Sequence, residues 1–205
     1  MIGGRNGDIG VGGLTLGGGI SYFSGLHGWA LDNVENYQVV IADGSIVNAN
    51  NASHPDLYFA LRGGGNNLGI VTRFDLATFP HGLMWGGMVL HPISANVSVY
   101  NALYWFNKNA AADPKAALIV ATACAPGLGC FFANDYEYTD PVAAPPVFDN
   151  FTAIPNISDT TRITTLSDLT AELKATQPPG FRYVFPCIYP VVSLLTKDTA
   201  NHSGL

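Results

Sequence analysis

Charge is what this sequence has least of. Of its 205 residues only 12% are Asp, Glu, Lys or Arg, against roughly 25% in ordinary soluble domains. So thin a charged coat is hard to reconcile with a surface that meets water everywhere, and it marks surface meant to be covered. The nine Lys and Arg form no cluster, and the net charge is −6. Little is left to neutralise phosphates, which excludes nucleic acid as a partner. No apolar run reaches the roughly twenty residues a membrane helix needs. Met1 is followed by Ile-Gly-Gly-Arg, which reads as neither signal peptide nor anchor. Cysteine is scarce as well. Cys124, Cys130 and Cys187 are odd in number and lack metal-ligand spacing, so they read as inert, partly buried thiols. His27, His54 and His91 stand singly, without metal spacing or a paired carboxylate, and are expected to be structural.

Glycine, by contrast, is abundant and clustered. The run Gly10-Val-Gly-Gly-Leu-Thr-Leu-Gly-Gly-Gly19 is answered by Gly63-Gly-Gly-Asn-Asn-Leu-Gly69. Residues without a Cβ let backbone amides close on a ligand. A nicotinamide site would need G-x-G-x-x-G. Counting from Gly10, that pattern finds Thr15 in its last place; from Gly17 it finds Tyr22, and from Gly63 it finds Leu68. The spacing excludes that cofactor class.

Local patterns outline an α+β chain. Asp43-Gly44 between β-branched runs predicts a hairpin over 37–48. Ser53-His-Pro-Asp56 supplies a capping serine, an early proline and a first-turn acid for a short helix running into Gly63. Ile70 to Phe79 reads as a strand. Beyond Pro80, strands are expected over 84–91, 116–124 and 131–138, a helix over 95–111, a loop at 141–146 and a capped helix over 167–175 with Glu172 and Lys174 outward. Strands segregated from helices give α+β rather than a doubly wound sheet.

The two glycine clusters, with Gly28-Trp-Ala-Leu-Asp-Asn33, the hairpin Val39 to Val47 and His54-Pro-Asp-Leu-Tyr-Phe-Ala-Leu-Arg between them, resemble the FAD-linked oxidases of the berberine-bridge-enzyme type, in the vanillyl-alcohol-oxidase superfamily. The resemblance covers roughly the first eighty residues; Trp85-Gly-Gly87 and Pro178-Pro-Gly-Phe-Arg182 look like pieces of the same fungal subgroup. It implies that residues 1–80 are the second half of an FAD-binding domain of PCMH type. Residues 81–205 would then be part of an α+β substrate-binding domain with an antiparallel sheet, in a truncated chain.

The implied cofactor is FAD, held by Gly10, Val11, Gly12, Gly13, Thr15, Gly18, Gly19, Gly69, Ile70 and Val71. The implied reaction is hydride transfer from an alcohol, sugar or secondary metabolite to flavin, with dioxygen as acceptor. Asn6 stands where doubly linked relatives place a flavin-bonding cysteine, and an amide cannot form that thioether. Relatives often use a tyrosine as base, but Tyr100, Tyr104, Tyr136, Tyr138 and Tyr183 stand in no matching motif, so no catalytic residue is assigned. Asp32, Asn33, Asn66 and Asn67 read as loop-holding residues. Taken alone, the chain is expected neither to retain FAD stoichiometrically nor to oxidise alcohols; a non-catalytic interaction module is the rival reading. The resemblance implies a secreted enzyme, and Asn51, Asn96, Asn150, Asn156 and Asn201 each begin a glycosylation tripeptide.

Overall fold

The computed structural model describes residues 1–125, 127 and 129–176. Pro178–Arg182, Tyr183, Cys187 and Asn201 lie outside the described residues. The chain divides into two compact units, Met1–His81 and Gly82–Leu205.

The first unit opens with two short helices, α1 (Val11–Leu16) and α2 (Ser24–His27), and a 3-10 turn at Ala30–Asn33. Strands β1 (Val34–Val40) and β2 (Ile46–Ala49), helix α3 (Pro55–Leu61) and strand β3 (Ile70–Leu76) follow. The sheet order is β2-β1-β3, with both pairings antiparallel. The predicted hairpin is present: Gly44 N donates to Ile41 O at 2.9 Å, Ile41 N to Ser45 O at 3.0 Å, and Asp43 Oδ1 receives Ser45 N at 2.8 Å. Val34 and Tyr37 both face the core although three residues apart. A register shift between Val34 and Asn36 supplies the extra residue that makes this possible. With Val39, Ala49, Tyr58 and Leu61 they form a buried cluster.

Helix α3 falls where the sequence places it, but not by the expected cap. His54, with left-handed backbone (φ 51°), is the N-cap and gives no side-chain bond. Ser53 Oγ lies 3.0 Å from His54 Nδ1 instead. Proline at the first position and Asp56 in the first turn suffice to start it.

The second unit contains β4 (Met84–Pro92), α4 (Asn96–Asn109), β5 (Ala116–Ala125), β6 (Gly129–Tyr138), α5 (Asp149–Thr152), β7 (Ser158–Asp159), β8 (Arg162–Thr164) and α6 (Leu166–Ala175). Its antiparallel sheet runs β5-β6-β4-β7, with β8 also on β4. The architecture is α+β, as expected. Val99, Ala102, Leu103 and Phe106 follow the helical spacing of α4 and bring it onto Trp85, Val89, Phe132 and Tyr136 of the sheet. Phe148 and Phe151, both fully buried, complete an aromatic core: Phe148 stacks on Phe106 at 5.6 Å and on Tyr136 at 5.4 Å. Burying each such ring is worth about 1.5–3 kcal/mol.

Two sequence expectations fail here. Glu172 does not point outward: Arg162 Nη1 donates to it at 2.6 Å, Thr160 Oγ1 donates to its other oxygen, and Met88 N lies 3.4 Å away. It ties α6, capped by Thr165 Oγ1 receiving Asp168 N at 3.2 Å, to the sheet. Cys124 and Cys130 are not buried thiols either. They face each other across β5 and β6 and form an exposed disulfide. Cysteine count alone misses the pair because only strand register brings six residues of separation into contact.

Candidate functional site

The glycine clusters both lie in the first unit, and the structure joins them. Gly65 N donates to Leu16 O at 3.0 Å, linking the second cluster to the end of α1. The 3-10 turn binds each side: Leu31 N donates to Gly18 O at 2.9 Å and Ala30 N to Gly19 O at 2.8 Å. Arg62, following α3, donates to Leu31 O at 3.2 Å and to Asp32 Oδ1 at 2.5 Å. Asp32 Oδ2 receives Trp29 N at 2.9 Å, and Asn33 Nδ2 donates to His27 O and Trp29 O. Asn67 Nδ2 donates to Gly64 O at 3.0 Å. Asp32, Asn33 and Asn67 thus hold loops, as their chemistry implies; no bond is described for Asn66.

More than half of the run 10–19 is helical, Val11–Leu16 forming α1. Gly10 is the extended N-cap of α1, Gly12 and Gly13 lie inside the helix, and Gly17 ends it. The glycines then separate by what surrounds them. A Cβ on Gly18 would come within 2.9 Å of the Trp29 ring, and one on Gly19 within 2.6 Å of Ala30 Cβ. A Cβ on Gly69 would lie 2.6 Å from Val40 O. These three are explained by chain packing on chain. At Gly10, Gly12 and Gly13 an added Cβ would meet nothing within 4 Å. Glycine inside a helix costs about 1 kcal/mol relative to alanine, and no neighbouring atom repays that cost at Gly12 or Gly13. Val11 is 49% exposed beside them.

The remaining candidates divide in the same way. Thr15 is 2% exposed, so its hydroxyl is covered by the protein itself rather than offered outward. Ile70 is 69% exposed at the start of edge strand β3, while Val71 packs against the core. Asn6 Oδ1 receives Asp8 N at 2.9 Å. His27 stacks on Phe79 at 4.2 Å, and His54 Nδ1 lies 3.0 Å from Asn48 O.

In the second unit the tyrosines are structural or lack a described role. Tyr136 is buried, its hydroxyl lies 2.8 Å from His91 Nε2, and burial pushes its pKa up to about 12. His91 Nδ1 faces Pro155 O at 3.1 Å. A carbonyl can only accept, so Nδ1 carries the proton and Nε2 receives the phenol's. Such a phenol stays protonated at neutral pH and serves the core. Burial also raises the Tyr138 phenol. What sequence reading passed over is the pair Asp135 and Glu137, 5% and 2% exposed. Strand alternation places them on the sheet face opposite Phe132 and Tyr136. The signal was Asn134-Asp-Tyr-Glu137 within an apolar strand, because carboxylates are costly to bury.

No family model matches the chain. The FAD-dependent monooxygenase tpcD of Cochliobolus heterostrophus is 45% identical over 193 residues, covering 90% of this chain and 37% of its own length. FUP4 of Fusarium proliferatum, also an FAD-dependent monooxygenase, is 42% identical over 193 residues, with the same coverage of 90% and 37%.

The chain belongs to the FAD-linked oxidoreductases.

It spans 37% of the length of these two relatives. The fold agrees. A VAO-type flavoprotein from Myceliophthora thermophila superposes with a TM-score of 0.63 at 25% identity, over 80% of this chain and 32% of that one. The 6-hydroxy-D-nicotine oxidase of Arthrobacter nicotinovorans gives a TM-score of 0.74 at 19% identity, over 88% and 40%. The described residues thus share the VAO-type fold.

Proposed function

We propose that this chain provides part of the FAD site of an oxidase. Residues 1–80 would be the second half of a PCMH-type FAD-binding domain, and residues 81–205 part of the substrate-binding domain. The observation that carries this reading is the set Gly10, Gly12 and Gly13, open to within 4 Å and unexplained by packing. A cofactor backbone approaching α1 would account for glycine there, because any side chain would hold it off. Gly18, Gly19 and Gly69 contribute by fixing the surrounding loops, and Val11, Ile70 and Val71 by apolar surface and main chain. FAD, when bound, supplies the hydride acceptor and the route of electrons to dioxygen. The substrate class is an alcohol, a sugar or a secondary metabolite.

The test is titration of the purified chain with FAD, followed by flavin fluorescence. Purified protein should carry far less than one equivalent, and added FAD should bind weakly but saturably. Gly12→Ala and Gly13→Ala should weaken that binding without unfolding the protein. Absence of saturable binding, or binding indifferent to both changes, overturns the assignment and leaves the non-catalytic module.

A further inference from the structure

We propose that Asn156 is a site of N-linked glycosylation and that its glycan covers the apolar cavity beside it. The inference is independent of the flavin reading. Four of the five tripeptides lie among the described residues, and the structure separates them. Asn96 is half-buried at the start of α4, with its Oδ1 receiving Val97 N at 2.8 Å. At Asn150 the intervening Phe151 is fully buried and the Thr152 hydroxyl donates to Asp149 O at 3.2 Å, so the acceptor is wound into α5. At Asn51 the hydroxyl of Ser53 is engaged with His54.

Asn156-Ile157-Ser158 differs from all three. Each of its residues is exposed, it precedes and enters the short strand β7, and neither polar side chain has a hydrogen bond among the described residues. Ile157 N donates to Leu90 O at 2.7 Å, which holds the segment at the sheet edge and leaves the flanking amide and hydroxyl outward.

The neighbourhood gives the glycan a place to lie. Ile157, 62% exposed, lines a largely apolar cavity of about 430 Å³ with Leu90, Pro92, Ile93, Ser94, Phe131 and the disulfide's Cys130. Apolar surface of this kind is unfavourable in water unless something covers it, and a sugar rooted one residue away reaches it. The exposed Cys124–Cys130 disulfide is a second mark of the same compartment. Such bonds persist in the oxidising secretory path and are rare in the cytosol. The secretory route is part of this proposal.

The reaction joins Asn156 Nδ2 to the anomeric carbon of a polyprenyl-pyrophosphate-linked oligosaccharide. The bond from that carbon to the pyrophosphate oxygen breaks, the lipid pyrophosphate leaves, and the proton lost by the amide nitrogen balances the charge of the departing pyrophosphate.

The full chain, translated behind a cleavable leader into microsomes or a secreting fungal host, should carry glycosidase-sensitive mass. Glycopeptide mapping should find it on Asn156 and not on Asn96. Asn156→Gln and Ser158→Ala should each lose the same single glycan, while Ser158→Thr retains it and controls for folding. Enzymatic removal of the glycan should raise the fluorescence of an apolar dye. A translocated chain with unmodified Asn156, a glycan on Asn96, or dye binding unchanged by deglycosylation overturns the proposal.

Discussion

Both units pack rings against rings, but they differ in what fixes the segments around them. In the first, loops are fixed by main chain against main chain: Gly65 on Leu16, Leu31 on Gly18, Ala30 on Gly19, with Asp32, Asn33 and Arg62 adding bonds to backbone groups. In the second, rings are fixed against rings, with Phe148 between Phe106 and Tyr136, and Trp85 at 5.7 Å. Ring packing tolerates some change of outline, whereas backbone contact tolerates no added atom. A surface built from backbone also leaves amides and open glycines for a ligand, which a ring-packed core does not.

Substitutions can break this contrast. The largest effect is expected from Phe148→Ala in the second unit. Removing a fully buried ring that contacts several others should cost about 3–5 kcal/mol, read by chemical denaturation. A loss below about 1 kcal/mol would mean that the ring cluster is not what holds this unit. Next comes Gly69→Ala in the first unit. At φ +141° an added Cβ would lie 2.6 Å from Val40 O and 2.8 Å from Val39 Cγ1, between two backbones that cannot separate without breaking the β1–β3 pairing. About 2–3 kcal/mol is expected, and a neutral result would remove the claim that backbone contact governs this unit.

Tyr58→Phe sharpens the same point. The Tyr58 hydroxyl donates to Val34 O in the interior. Deleting it leaves that carbonyl without the phenol and should cost about 1–2 kcal/mol, seen as a lower thermal midpoint without loss of secondary structure. Gly13→Ala runs the other way. With no atom near its Cβ, alanine should stabilise α1 by about 1 kcal/mol while weakening FAD binding, a trade of function against stability. A destabilised variant would show that Gly13 serves the fold.

The smallest effect concerns acid. Burial raises the Glu172 pKa, but the hydrogen bonds from Thr160 and Arg162 outweigh it, and the carboxyl is held below its usual value. A depressed folded pKa means that this stabilisation is fully present above the free carboxylate pKa of about 4.3 and is lost as pH falls through the folded value. Acid should therefore release α6 from the sheet. Glu172→Gln should flatten that part of the pH profile, and an identical profile would refute the link.

Much of the chain could be read locally because the governing interactions are local. The Asp43-Gly44 turn, the proline start of α3 and the positions of β4, α4, β5, β6 and α6 depend on residues a few positions apart. Order and spacing of the glycine motifs were likewise enough to point to FAD-linked oxidoreductases. Which glycines are open and which are pressed against another chain segment could not be read so. Gly13 and Gly19 are the same residue in one run, and only the return of Ala30 onto Gly19 distinguishes them.

The same holds for the disulfide, for the inward Glu172 and for the buried pair Asp135 and Glu137. Each depends on strand register or on a partner far along the chain: Met88 lies 84 residues from the Glu172 it approaches. Composition and spacing determined the fold class, since hydrophobic period and turn chemistry are properties of neighbours, and the family was legible only through the resemblance of the motifs. Tertiary structure alone decided which residues face outward, because burial is set by whatever the chain brings back against them.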